Sequence, residues 1–160
     1  MVSVLENLRS FLKGLGIEPR EIHHEPTFTS EQSAAARGEE LKVGGKALLI
    51  KVDKQFQLFV LPANRRADSK RIRNFLQAKK SRFATPEELL DLTGLVPGSV
   101  PPFGRPVLDF DLYIDSSLTE NDRIAFNAGS LTDSMILKME DYLNAAKPVD
   151  TCPFSIETSS

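Results

Sequence analysis

The sequence predicts an α+β domain built on a mixed, mostly antiparallel sheet. Three observations lead there. Short apolar stretches with a period of two are interspersed with amphipathic helical stretches of about eight to twelve residues. The Gly-x-Gly-x-x-Gly turn of a dinucleotide-binding α/β fold is absent, as is a Walker loop. The 160 residues, 41% hydrophobic and 26% charged, suffice for one core and are too few for two comfortable ones. No internal repeat is present.

Val4, Leu5, Leu8, Phe11, Leu12 and Leu15 recur at helical spacing. Ser3 with Glu6 offers a capping box, and Gly14 or Gly16 a stop, which predicts a helix over 3–14. A short strand follows around Glu21–His24, closed by Pro26. Thr29 or Ser30 caps a helix through Arg37, favoured by Ala34, Ala35 and Ala36 and ended by Gly38.

After Gly44-Gly45, the run Lys46–Val52 is apolar on both faces and reads as a central strand. Asp53-Lys54-Gln55 turns it into a returning strand, Phe56–Leu61, closed by Pro62. Lys46 shares a face with Leu48, Ile50 and Val52, so its stem can pack while its ammonium stands at the rim of a pocket. An ordinary surface lysine is the plainer alternative. Asp68 or Ser69 caps a helix to about Ala78, and Arg82–Ala84 is a brief strand. Thr85-Pro86-Glu87-Glu88 combines a capping box with proline at the first helical position, starting a helix that ends near Leu92.

Gly94–Gly104 holds three prolines and three glycines in eleven residues, so it is no helix. Leu95, Val96, Val100 and Phe103 make it a shaped loop packed by its own side chains; a structural connection and a functional loop are both open readings. Val107–Ile114 reads as a strand with Asp109 and Asp111 on one face. Ser116–Glu120 is a turn or one helical turn, Arg123–Asn127 a strand, Met135–Lys138 a last strand, and Met139–Ala146 a helix stopped by Pro148. The domain is expected over 1–148, with 149–160 a loosely ordered tail.

No apolar run approaches the roughly 20 residues that span a bilayer, so no membrane partner is expected. The N-terminus lacks the basic-then-apolar order of a signal peptide. The single cysteine, Cys152, excludes an intramolecular disulfide and fits a reducing compartment. A cytoplasmic protein is the expectation. The formal net charge is −2, but it is unevenly placed. From Arg65 to Arg82, eight basic residues (Arg65, Arg66, Lys70, Arg71, Arg73, Lys79, Lys80, Arg82) stand against Asp68 alone, so this segment carries +7 and the rest of the chain −9. Such a concentration on an acidic body is the footprint of a polyanion partner; a solvated helix face is the alternative.

A metal site is not expected, because His23 and His24 are the sole histidines and face opposite sides of a strand. No Gly-x-Ser-x-Gly elbow supports a serine hydrolase. The small polar cluster Asn127-Ala128-Gly129-Ser130 after a strand could present amides and hydroxyls to a ligand, or simply be a tight turn. Any catalysis would rest on positioning and backbone dipoles.

Lys46-Ala47-Leu48-Leu49-Ile50-Lys51, Thr93-Gly94-Leu95-Val96-Pro97-Gly98 with Pro102-Phe103-Gly104, and Asn127-Ala128-Gly129-Ser130 occur in one order, preceded by His24-Glu25-Pro26 and Thr29. That ordered set resembles the YbaK family, the editing domain associated with prolyl-tRNA synthetase, over about residues 20–146. The resemblance implies an α+β fold with a mixed, partly barrel-like sheet, no metal or other cofactor, and hydrolysis of aminoacyl-tRNA carrying the wrong small amino acid. It implies a form acting without an attached synthetase body, with the acceptor end of aminoacyl-tRNA as partner and a synthetase as a second one. Lys46 would lie near the terminal phosphate. His24, Thr29, Gly98, Pro101, Pro102, Phe103, Gly104, Asn127, Gly129 and Ser130 would form the substrate pocket. Arg65, Arg66, Lys70, Arg71, Arg73, Lys79 and Lys80 would hold tRNA phosphates. The substrate's own 2′-hydroxyl would help activate water. Members that remove alanine often carry a histidine after the last strands; Asn127–Ser134 has none, which does not support alanine as the substrate. The alternative is a non-catalytic tRNA- or synthetase-binding module of the same fold.

Overall fold

A computed structural model of the chain describes residues 2–158. In chain order its elements are α1 (Val4–Gly14), β1 (Arg20–His23), α2 (Ser30–Arg37), β2 (Gly45–Val52), β3 (Gln55–Pro62), β4 (Arg65–Ala67), α3 (Ser69–Leu76) and β5 (Ser81–Phe83). There follow α4 (Pro86–Thr93), β6 (Leu112–Asp115), β7 (Arg123–Asn127), β8 (Asp133–Lys138), α5 (Met139–Ala146), β9 (Asp150–Cys152) and β10 (Ser155–Glu157).

α2 and α4 begin where their caps say they should. Thr29 Oγ1 accepts from the Gln32 amide at 3.1 Å. Thr85 and Glu88 satisfy both halves of a capping box, at 3.1 and 2.9 Å. Each such cap supplies a partner to an amide that the helix itself leaves unpaired.

The main sheet has the order β5-β2-β3-β6-β9. Its first three strands are antiparallel neighbours, whereas β6 and β9 run parallel to β3. A second sheet, β1-β8-β7, is antiparallel throughout. The two meet where Gly44 bridges Ala125. A Cβ on Gly45 would lie 2.5 Å from Ile124 Cδ1, so only glycine lets β2 approach β7 this closely. Among the described residues the sheets do not close into a barrel.

Alternation along β2 sorts the core. Leu49, with Leu58 and Val60 of β3, packs with Leu8 and Leu12 of α1, Leu89 of α4 and Tyr142 of α5. Ile50 and Val52 point the other way and pack with Phe59, Ile72 of α3 and Phe154. Lys46 stands at the end of this second row, as the period of two requires.

Two expectations need correction. Residues 107–111 form turns instead of strand: the Val107 and Leu108 amides both donate to the Gly104 carbonyl at 3.0 Å. Val107 and Leu108 are consecutive and both buried, which no half-exposed strand allows. Asp109 and Asp111 instead share Arg105, at 2.7 and 2.5 Å. Nor is 149–158 a loose tail. β9 pairs with β6 and β10 with β4. Phe154 is fully buried, and the Phe154 and Ser155 amides donate to Asp115 Oδ1 at 2.9 and 2.8 Å. The buried carboxylate gives this segment a fixed partner that its composition does not announce.

Candidate active site

The seam between the two sheets is also where a cavity opens. Its volume is about 190 Å³. α2 contributes Ser33 and Arg37, Gly44 and the start of β2 contribute the stretch to Leu48, the loop before β6 contributes Gly98 and Val100, and β7 contributes Asn127. The Gly44-Gly45 pair that lets the sheets meet is followed at once by Lys46, so close approach and cation are placed together.

Lys46 is half-buried. Burial lowers its pKa from the ordinary lysine value, and the carboxylate of Glu31 partly opposes this. Its ammonium has no ion-pair partner among the described residues. Lys46 also borders a second, more open depression shared with Leu48, Arg66, Asp68, Ser69, Phe83 and Ile156. It therefore stands between a small cavity and an open surface that carries Arg66 and Asp68.

The floor of the cavity is a hydrogen-bonded chain. Arg37 is 8% exposed; its Nε donates to Ser134 Oγ at 3.0 Å and its Nη2 to Asn127 Oδ1 at 2.9 Å. Asn127 Nδ2 donates to the Gly98 carbonyl at 2.6 Å and so anchors the loop. His24 Nδ1 lies 2.8 Å from the Glu25 carbonyl, which can only accept, so this nitrogen carries the proton. Nε2 is then the acceptor for Ser134 Oγ at 2.8 Å. Burial pulls the Arg37 pKa down to about 10, against the opposing charge of Glu39, and the guanidinium remains a cation at neutral pH.

Thr29, Lys46, Gly98 and Asn127 lie on the cavity wall. His24 sits behind it, on Ser134. Pro101–Gly104 are buried beneath the loop. Phe103 is 1% exposed and stacks edge-on against Phe126 and Tyr142, whose hydroxyl donates to the Pro102 carbonyl at 2.7 Å. These loop residues shape the wall from behind. Gly129 packs against the first turn of α1, and Ser130 donates to Asp133 Oδ2 at 2.6 Å in a turn.

The basic segment divides as well. Arg65 and Arg71 both donate to the Ser155 carbonyl at 3.1 Å, and Arg73 donates to Ser81 Oγ at the same distance. Arg66, Lys70, Lys79 and Lys80 are exposed.

Sequence reasoning passed over Arg37, Ser33 and Ser134. Ser33 and Arg37 are four apart and so share a helix face, but an arginine in a last helical turn is ordinary and carried no signal of its own. Among the described residues, Arg37 and Lys46 are the only titratable groups lining the cavity. Nor do three His, Cys, Asp or Glu side chains converge as a metal set among those residues. No helix among the described residues is long and apolar enough to cross a membrane.

Comparison with known proteins gives a consistent pattern. The family model of the aminoacyl-tRNA editing domain matches residues 24–145. The chain is 38% identical over 149 residues to the multifunctional Ser/Thr-tRNA deacylase ProXp-y of Escherichia coli, covering 89% of this chain and 88% of that protein. It is 34% identical over 100 residues to the proline–tRNA ligase of Shouchella clausii, covering 62% of this chain and 17% of the ligase. A solved structure of a protein proposed as a trans-editing enzyme for prolyl-tRNA synthetase matches with a TM-score of 0.81 at 22% identity, covering 94% of this chain and 96% of the other, a likeness of fold.

Proposed function

Because the chain belongs to the aminoacyl-tRNA editing domain family, we propose that it is a trans-editing deacylase that hydrolyses the ester of a small amino acid misattached to tRNA. The observation that carries this reading is the position of Lys46, between the small cavity and the open depression that holds Arg66. The terminal phosphate of the acceptor end sits at the Lys46 ammonium, the aminoacyl group enters the cavity, and the preceding nucleotides lie toward Arg66 and Lys70.

Water attacks the ester carbonyl carbon, the bond from that carbon to the ribose oxygen breaks, and the ribose oxygen takes up the proton. Among the described residues, the cavity wall offers no carboxylate or imidazole as base. The 2′-hydroxyl of the terminal ribose activates the water, and the protein contributes position and electrostatics. Such a second site is needed because a hydrophobic synthetase pocket separates amino acids differing by one methylene only about 10–200-fold. Serine and threonine, named for the E. coli relative, are the first substrates to test. The reaction takes place in the cytoplasm, and a synthetase that mischarges the tRNA is the upstream partner.

The test is deacylation of purified alanyl-, seryl-, cysteinyl- and threonyl-tRNA. Turnover of one or a few supports the proposal and names the substrate. A blank panel from folded protein that still binds tRNA would favour a non-catalytic module.

A further inference from the structure

Arg37 carries more hydrogen-bonding capacity than the fold uses. Nε and Nη2 are committed to Ser134 and Asn127. Nη1 has no hydrogen-bond partner among the described residues, yet no buried side-chain nitrogen there is left unsatisfied, so Nη1 keeps some accessible surface on a residue that lines the cavity. It lies beside Gly44, 3.5 Å from where a Cβ would stand. Nearby, Asn127 Nδ2 serves Gly98, and Ser33 Oγ donates to Thr27 Oγ1 at 2.8 Å. Lys46, Thr29 and Ser30 also line the cavity. On the face of α2 that carries Arg37, an occupant meets the cationic donor of Arg37 and the acceptor lone pairs of Ser33, one helical turn earlier. The wall also includes Ala47, Leu48, Ala63 and Val100.

We propose that Arg37 and Ser33 form a subsite for the side-chain hydroxyl of the aminoacyl group, with Arg37 Nη1 donating to the hydroxyl oxygen and Ser33 Oγ accepting its proton. This rests on the deacylase function proposed for the same cavity and adds to it the residues that choose the substrate. A guanidinium cannot accept a hydrogen bond and repels an ammonium, so the α-amino group of the substrate is not its partner. A side chain without an oxygen would desolvate the donor without replacing its hydrogen bond. A hydroxyl meets both requirements. A neutral-to-charged hydrogen bond of this kind corresponds to a preference of roughly ten- to a hundredfold for the hydroxylated amino acid.

The test uses two non-hydrolysable probes, 3′-seryl-amino- and 3′-alanyl-amino-3′-deoxyadenosine, titrated by calorimetry into the wild type and Arg37→Lys. The wild type binds the seryl probe at least tenfold more tightly, and Arg37→Lys loses most of that ratio, over and above any affinity it loses for both probes alike. Equal wild-type affinity for the two probes, or an equal loss of both in the variant, overturns the hydroxyl subsite and assigns Arg37 to the ester or ribose, leaving the deacylase reading intact. Binding of neither probe by folded wild type overturns both. Should Arg37→Lys not fold, the wild-type Arg37 Nε–H signal in a ¹⁵N spectrum decides: it shifts with the seryl probe and not with the alanyl probe, and the same shift with both contradicts the proposal.

Discussion

Arg37 Nη2 donates to Asn127 Oδ1 at 2.9 Å across 90 residues of sequence, and the other end of the Asn127 amide holds the Gly98 carbonyl at 2.6 Å. One side chain thus ties α2, β7 and the glycine–proline loop around a single cavity. Asn127→Ala leaves a buried cation with one partner fewer and frees the loop. Losing a hydrogen bond to a charged group costs about 1.5–3 kcal/mol of stability, and kcat/KM should fall because the loop at the cavity loses its anchor. Circular dichroism should show the fold retained. Unchanged kcat/KM would mean that the loop needs no anchor.

The alkaline limb of the rate profile reports on Lys46. Burial holds its pKa below the ordinary lysine value, and its charge is the form that binds phosphate. Raising the pH removes that charge, so kcat/KM, after subtraction of uncatalysed hydrolysis, declines at a lower pH than a surface lysine would dictate. Lys46→Arg keeps the charge and moves the decline upward. A profile that is the same in both proteins would detach Lys46 from the limb.

The basic segment predicts two phenotypes. Replacing the exposed Arg66 and Lys70, or Lys79 and Lys80, by Gln should weaken tRNA binding, with the melting temperature unchanged. The slope of log K against log salt should fall by about 0.7–0.9 for each phosphate that is no longer neutralised. Arg65→Gln should instead cost about 1–2 kcal/mol of stability, because Arg65 Nε donates to Ser155 Oγ at 2.7 Å. Urea melts and filter binding separate the two.

The C-terminal segment should behave as part of the core. Phe154→Ala removes a fully buried ring and should cost about 3–5 kcal/mol. Burial first, then the charges of Asp150 and Asp115, push the Cys152 thiol up to about 11, so it stays protonated and reacts with iodoacetamide far more slowly in the native protein than in denaturant. Rapid native alkylation would show a loose segment.

What could be read in the chain was whatever local chemistry decides. Thr85-Pro86 and Glu88 specify a helix start wherever they occur, and the Asp53 turn between two apolar runs specifies a hairpin. Lys46, Thr29, Gly98 and Asn127 reach the cavity because strand alternation, a helix cap and a shaped loop are local features. Partners distant in sequence decided the rest. The alternation of Val107–Asp111 imitates a strand, but Arg105 gathers its two aspartates into a turn. β9 and β10 exist because Asp115 and β4 lie ready to receive them. Arg37 became part of the site only when β7 and β8 brought Asn127 and Ser134 to it.

Lys46, as the group that seats the terminal phosphate over the cavity, is the hinge of the proposed mechanism. The most direct measurement is single-turnover deacylation of the preferred aminoacyl-tRNA by the wild type and Lys46→Ala, with tRNA affinity measured on the same samples. The variant should lose at least about a hundredfold in rate, the lower range for a misplaced substrate, while bulk tRNA affinity changes little. Full turnover by Lys46→Ala, with tRNA bound as before, would contradict that role.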